Sequence, residues 1–197
     1  MTNKSRKINQ KISGDIMSIK LEDMSDYAKN LVKELHLEAH PEGGWYARDW
    51  QAAQLYSANN STDASANASA NATNTQVDEN SAASAPRPLA SLIYFLLPAG
   101  DSSAWHKVDA DEIWFWHGPA NLTIELGGCS QNPCAEADLQ RFTLGNTKDG
   151  NDLLTRGHLV IPAGTWQRTV PSNADVLVSC VVSPGFTFSG FNLASKN

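Results

Sequence analysis

The chain has 197 residues, 41% of them hydrophobic and 18% charged, which suits one domain with a sizeable core. Its net charge of -6 argues against a nucleic acid or an anionic membrane surface as partner, since both require clustered Lys and Arg. With no apolar run of transmembrane length and no secretory signal pattern, a cytoplasmic protein that meets a small-molecule ligand is expected.

Residues 1–20 carry Lys4, Arg6, Lys7, Lys11 and Lys20 against Asp15 alone, without apolar periodicity, and are expected to form a flexible tail ahead of a single domain over 21–197. Behind a plausible N-cap at Ser25, the recurrence of Tyr27, Leu31 and Leu35 every fourth residue predicts a short amphipathic helix from Asp26 to Leu35, ending near His36. The segment His40-Pro41-Glu42-Gly43-Gly44 holds more special-geometry residues than a simple connection needs. It reads either as the lip of a pocket carrying Glu42 or as a loop with Glu42 in solvent. Tyr46 and Arg48 then alternate onto one face of a first strand, where a phenol and a guanidinium suit an oxygen-rich ligand; a surface Arg paired with a carboxylate is the competing account.

Residues 57–88 are dominated by Ser, Asn and Ala and predict a disordered insertion, because they bury too little apolar surface to offset the entropy of ordering. The rest of the chain is a series of short runs, Leu89 to Leu97, Ala104 to Val108, Glu112 to Trp116, Asn121 to Leu126, Leu139 to Leu144, His158 to Ile161, Trp166 to Val170 and Val176 to Val182. Bounded by Gly, Pro, Asn or Asp, and with no helical pattern between them, they predict an all-β sandwich or barrel. Cys129, Cys134 and Cys180 lack zinc-site spacing, and a reduced surface loop is favoured over a Cys129–Cys134 disulfide.

Chemistry concentrates between Gly100 and Gly118. With a period of two and a tight turn at Asp109-Ala110-Asp111, His106 and Val108 share one face, and Glu112, Trp114 and Trp116 share the face that meets it. The imidazole of His106 and the carboxylate of Glu112 then converge, either as a hydrogen-bonded core pair or as the centre of a site.

The spacing of His106 and Glu112 within that stretch resembles the first motif of the cupin superfamily, and Gly157-His158-Leu159-Val160-Ile161-Pro162-Ala163-Gly164-Thr165-Trp166-Gln167 has the Pro-x-Gly core of the second. Three further segments, Glu38 to Arg48, Ile93 to Gly100 and Ser183 to Phe191, are similar to the fifth cupin family. The resemblance covers roughly 27–194 apart from the insertion. It implies a cupin-type double-stranded β-helix, a jelly-roll barrel, here with a short N-terminal helix, and a homodimer. Superfamily members hold a divalent ion with three His and one Glu; here His106 and Glu112 match, while Val108 and Gln167 stand where His would be. Neither is an adequate substitute on a transition metal, so no cofactor is expected; His106, Glu112, Gln167 and waters are the residual set for a weak divalent ion.

Two functions remain in view. In the first, a binding module for a sugar-like or sugar-nucleotide-like molecule, the indoles of Trp105, Trp114 and Trp116 stack on the ligand while His106, Glu112, Gln167, Arg48 and Glu42 fix its polar groups. In the second, a metal-independent isomerase or epimerase, His106 is the general base, oriented by Glu112, and Tyr46 or Tyr94 is the acid. A phenol and an imidazole on opposite sides of one cavity would favour the second.

Overall fold

The computed structural model describes residues 18–56, 86–146 and 155–195; the expected tail over 1–17 and the Ser/Asn/Ala-rich stretch over 57–85 lie outside the described residues. Ser18 and Ile19, assigned to the tail in sequence, are docked: the Ser18 hydroxyl donates to Gly44 O at 2.7 Å and the Ile19 amide to Asp101 at 3.1 Å.

Helix α1 spans Asp26–Glu34. Its N-cap is Ser25, whose hydroxyl accepts from the Ala28 amide at 3.0 Å and also donates to Asp175, tying the helix start to the barrel. The buried stripe is Ala28 and Val32 with Leu31 and Leu35 beside it, whereas Tyr27 is 46% exposed. The stripe is therefore one position round from the Tyr27-Leu31-Leu35 reading, because Met24 and Leu96 supply the apolar surface that Ala28 approaches closely. His36 follows the helix at φ 54°, the left-handed turn that ends many helices.

Among the described residues fourteen strands follow: β1 (Glu38–Ala39), β2 (Trp45–Gln51), β3 (Leu55–Tyr56), β4 (Arg87–Pro88), β5 (Ser91–Leu97), β6 (His106–Val108), β7 (Asp111–Pro119), β8 (Leu122–Leu126), β9 (Gln140–Leu144), β10 (Thr155–Arg156), β11 (His158–Ile161), β12 (Gln167–Val170), β13 (Val176–Ser183) and β14 (Phe191–Leu193). They form two six-stranded sheets, β1-β2-β5-β13-β7-β11 and β10-β9-β8-β12-β6-β14, and a small ribbon of β3 with β4. Arg87 and Pro88, placed in the insertion from sequence, pair with Tyr56 and Leu55 and close its base. Among the described strands every pairing is antiparallel except β9 with β10, and the architecture is the expected jelly-roll barrel.

The inner faces of the two sheets enclose the core. Leu97, Leu122, Ile124, Leu144, Val176 and Val178 fill one end of the barrel, each at most 2% exposed. On the outer face of the first sheet, Leu96 and the partly buried Trp45 and Tyr94 pack under α1. Alternation along β5 explains the division: Ile93, Phe95 and Leu97 point in, and Tyr94 and Leu96 point to the helix. Strands β6 and β7 do not pair across their tight turn; they belong to opposite sheets. No described helix is long and apolar enough to cross a membrane.

Candidate functional site

At the other end of the barrel the sheets part around a cavity of about 210 Å³. Its polar wall is His40, Glu42, His106, Glu112 and Cys180, and its aromatic wall is Tyr46, Phe95, Trp114, Phe186, Phe188 and Phe191. Glu38, Arg48 and the 57% exposed Phe188 stand at the mouth.

The segment before β2 carries two of the polar groups inward. Its ends are tied by His40 N to Gly44 O at 2.9 Å, and Gly43 and Gly44 take φ of 104° and 71°, a backbone path that L side chains resist. A Cβ on Gly44 would lie 2.7 Å from the Phe95 ring, so only glycine lets the loop press against β5. The Glu42 carbonyl accepts from the Ala104 amide at 2.7 Å, which docks the loop onto the approach to β6. Glu42 ends 5% exposed, its Oε2 lying 3.3 Å from Nδ1 of His106 and 3.6 Å from Nδ1 of His40.

The ring contacts settle how each imidazole carries its proton. His106 Nδ1 faces the Ala104 carbonyl, an acceptor, at 2.8 Å, so Nδ1 holds the hydrogen and Nε2 is left as the basic atom. His40 Nδ1 accepts from the Glu42 amide at 3.3 Å, which assigns its hydrogen to Nε2. Burial lowers the His106 pKa from 6.5 to about 4, against the Ala104 carbonyl, which raises it. Burial and then the charge of His106 lower that of His40 to about 3. Both rings are neutral near neutrality. The carboxyls move the other way: burial, then the charge of Glu112, holds Glu42 well above its ordinary range. Burial raises Glu112 as well, opposed by Gln167, Trp114 and Cys180. The Cys180 thiol is pushed up by burial and by both carboxyls, and stays protonated.

The sequence-predicted residues divide into three groups. His106, Glu112, Tyr46, Arg48, Glu42 and Trp114 all line the cavity. Gln167 lies behind it, 0% exposed, donating through Nε2 to Glu112 Oε2 at 2.6 Å. Trp105, Trp116 and Tyr94 do not line the cavity. Trp105 neighbours His106 in sequence and so faces the other way, with the Arg168 guanidinium 4.7 Å from its ring centre. Trp116 does share the inner face with Trp114 but lies further along β7, packed against the apolar end, its indole donating to Ala120 O at 2.7 Å. Tyr94 points to the helix.

The expected pairing of His106 with Glu112 is corrected as well. The two side chains arrive from opposite sheets, and the carboxyl beside His106 is that of Glu42. His40, Cys180 and the three C-terminal Phe residues were given no role in sequence. Inward alternation along β13 with Val178 and Val182 was the one available signal, and it applies to Cys180 alone.

The residues do not fit the superfamily's metal centre. Val108 occupies one ligand position on the cavity wall, and Gln167, 0% exposed behind the cavity, offers only a neutral amide, a poor replacement for imidazole on a transition metal. Among the described residues no three His, Cys, Asp or Glu side chains converge in a metal-holding arrangement.

Comparison with known proteins accords with this architecture. A family model described as "Cupin superfamily (DUF985)" matches residues 29–194. A crystal structure of a Shewanella oneidensis protein is 30% identical with a TM-score of 0.61, covering 85% of this chain and 84% of that one. A hypothetical protein from Leishmania major is 22% identical, also with a TM-score of 0.61, over 85% of this chain and 87% of its own, a likeness of fold alone. No protein of curated function matches.

Proposed function

The chain belongs to the DUF985 family of the cupin superfamily, and we propose that its barrel cavity binds a small polar molecule, sugar-like or sugar-nucleotide-like in its density of oxygen atoms. The observation that carries this reading is the number of polar side chains buried around open volume. Five buried ionisable groups line a space of about 210 Å³, and the Trp114 indole N–H, 1% exposed beside Glu112, has no hydrogen-bond partner of standard geometry. A buried donor left unsatisfied costs about 1–3 kcal/mol, a cost that a ligand oxygen removes.

The test is a thermal-shift screen of nucleotide sugars, free sugars and small keto acids. A ligand at a hundred times its dissociation constant adds roughly 2.7 kcal/mol to the folded state. His106→Ala should abolish the shift of any hit while melting near wild type without it. A variant that melts much lower yet keeps the shift would place the ligand elsewhere and make His106 a core residue.

A second reading, metal-independent isomerase or epimerase chemistry, is favoured by one specific arrangement. His106 enters the cavity from β6 of one sheet and Tyr46 from β2 of the other, so a neutral imidazole faces a phenol across a single space. Nε2 of His106 would take a proton from the carbon beside a ligand carbonyl, and the Tyr46 hydroxyl would deliver one to the opposite face. For a carbonyl-bearing hit, exchange of that C–H in heavy water, lost in His106→Ala, separates turnover from binding; its absence in wild type leaves binding alone.

The proposal includes assembly as a homodimer through the outer face of the first sheet. There Phe115 on β7 and Val160 on the edge strand β11 stand 38% and 52% exposed. Sedimentation at the mass of one chain would contradict it.

A further inference from the structure

We infer that the ligand of this cavity is a small organic cation, with a protonated or quaternary nitrogen held by the carboxyl groups of Glu42 and Glu112 and by the faces of the aromatic wall. The inference rests on the binding reading above and narrows it to ligands that carry an amino group and no phosphate.

Two buried carboxyls in a cavity need an explanation, and the treatment of a third supplies the contrast. Glu125, 3% exposed on β8, is bound by the guanidinium groups of Arg141 and Arg168, each at 2.6 Å. That is how this chain keeps a structural carboxylate out of water, and burying one without such pairing is costly. Glu42 and Glu112 are 5% and 6% exposed, and neither has a Lys or Arg at ion-pair distance among the described residues. Glu42 has two imidazoles as neighbours, which burial keeps neutral; Glu112 has the Gln167 amide and the Cys180 thiol. The one permanent cation on the lining, Arg48, is exposed at the mouth beside Glu38, and its Nη1 donates to Gln51 at 3.0 Å. The depth of the cavity thus has two carboxyls and no counter-charge.

The opposite wall has the same preference. Phe186, Phe188 and Phe191 pack edge-to-face with centroids 5.2 to 6.3 Å apart, and with Tyr46 and Trp114 they line the space with aromatic rings. Ring faces are electron-rich and attract cations, and carboxylates add to that attraction in a poorly solvated site. An anion such as a phosphate would meet two carboxyls with no donor cation inside, and a neutral polyol would leave both carboxyls in the protonated form that burial favours, without the charge attraction that a cation gains by drawing them into the ionised form. An ammonium group satisfies both walls at once. Within the sugar-like class this selects amino-bearing members over phosphorylated ones.

The test uses wild-type protein and matched probes that differ in charge: D-glucosamine against D-glucose, and choline against its uncharged carbon isostere, in which a tert-butyl group replaces trimethylammonium. Titration calorimetry is run at low ionic strength and at a pH below that of amine deprotonation. The cation of at least one pair should bind roughly tenfold or more tightly than its neutral partner. Glu112→Gln and Glu42→Gln should each bring that ratio toward one, and Glu125→Gln should leave it unchanged. Equal or tighter binding of the neutral member in both pairs overturns the cation while leaving the cavity as a ligand site. Binding by neither cation, with hits among the neutral sugars, overturns it in the same way. Silence from every probe and every sugar instead counts against the binding reading itself. The wild-type comparison needs no variant to fold.

Discussion

His106 and Glu42 come from distant parts of the chain, and their contact decides which carboxyl governs which imidazole. Its consequence for stability can be read from the directions of the shifts. For His40 and His106, the folded state gives up protons that the unfolded state keeps, since their ordinary value of 6.5 falls to about 3 and about 4. Stability from these rings is fully present above pH 6.5 and is lost as pH falls from there through the folded values. Glu42 and Glu112 act with the opposite sign. Their values are raised above 4.5, so their neutral forms stabilise the fold below that pH, and the contribution is lost as pH rises through the raised range. Melting temperature should therefore decline on both sides of a maximum. Glu42→Gln, which cannot ionise, should flatten the decline on the alkaline side, as measured by melting curves across the pH range. Parallel alkaline slopes in variant and wild type would show that Glu42 is not held neutral by burial. At this scale the sequence identified His106, Glu112, Tyr46, Arg48 and Trp114 as wall residues because strand alternation alone sorts them. The same rule should have excluded Trp105, the immediate neighbour of His106. The Glu42–His106 contact was not legible, because a paired-glycine loop and not a strand repeat delivers the carboxyl.

Among the elements, long patterned runs were legible and two-residue pairings were not. The runs read as Val176 to Val182, His158 to Ile161 and Asn121 to Leu126 are β13 at Val176–Ser183, β11 at His158–Ile161 and β8 at Leu122–Leu126. Each has several inward residues in alternation, and a one-residue slip would expose all of them. β1, β3, β4 and β10 have two residues each, too few for any period; β1 and β10 add to the edges of the two sheets, and β3 and β4 pair only with each other. β14 went unread for another reason: the segment Phe186 to Phe191 looks like an apolar loop, and only its register against β6, with Phe191 opposite Val108, makes Phe191 part of the cavity wall. The turn at Asp109-Ala110 was placed correctly, yet a turn does not say whether its strands pair. Here it carries the chain from one sheet to the other, which is why His106 and Glu112 face each other across space and do not touch.

The molecule as a whole is a barrel with two different ends. One is closed by aliphatic side chains and the Trp116 indole, and packs as an ordinary core. The other holds ionisable groups and aromatic rings around open volume, an arrangement that costs stability and is found where a ligand is bound. The barrel was legible from short strands and from the two motifs, because both follow from local pattern. The ligand was not, since its charge and shape depend on which side chains a fold with distant contacts brings together. The most direct measurement of the central claim follows the indole N–H signals of nitrogen-15-labelled protein during titration with a thermal-shift hit. Trp45, Trp116 and Trp166 donate to the carbonyls of Ile19, Ala120 and Ser130, while Trp114, alone of these four, lines the cavity, and its N–H beside Glu112 makes no hydrogen bond of standard geometry. The account predicts that the Trp114 signal moves furthest, as a ligand acceptor takes its hydrogen, while Trp45 and Trp166 stay in place. A static Trp114 signal during saturable binding, with the change centred instead on Trp105 or Trp166, would contradict it.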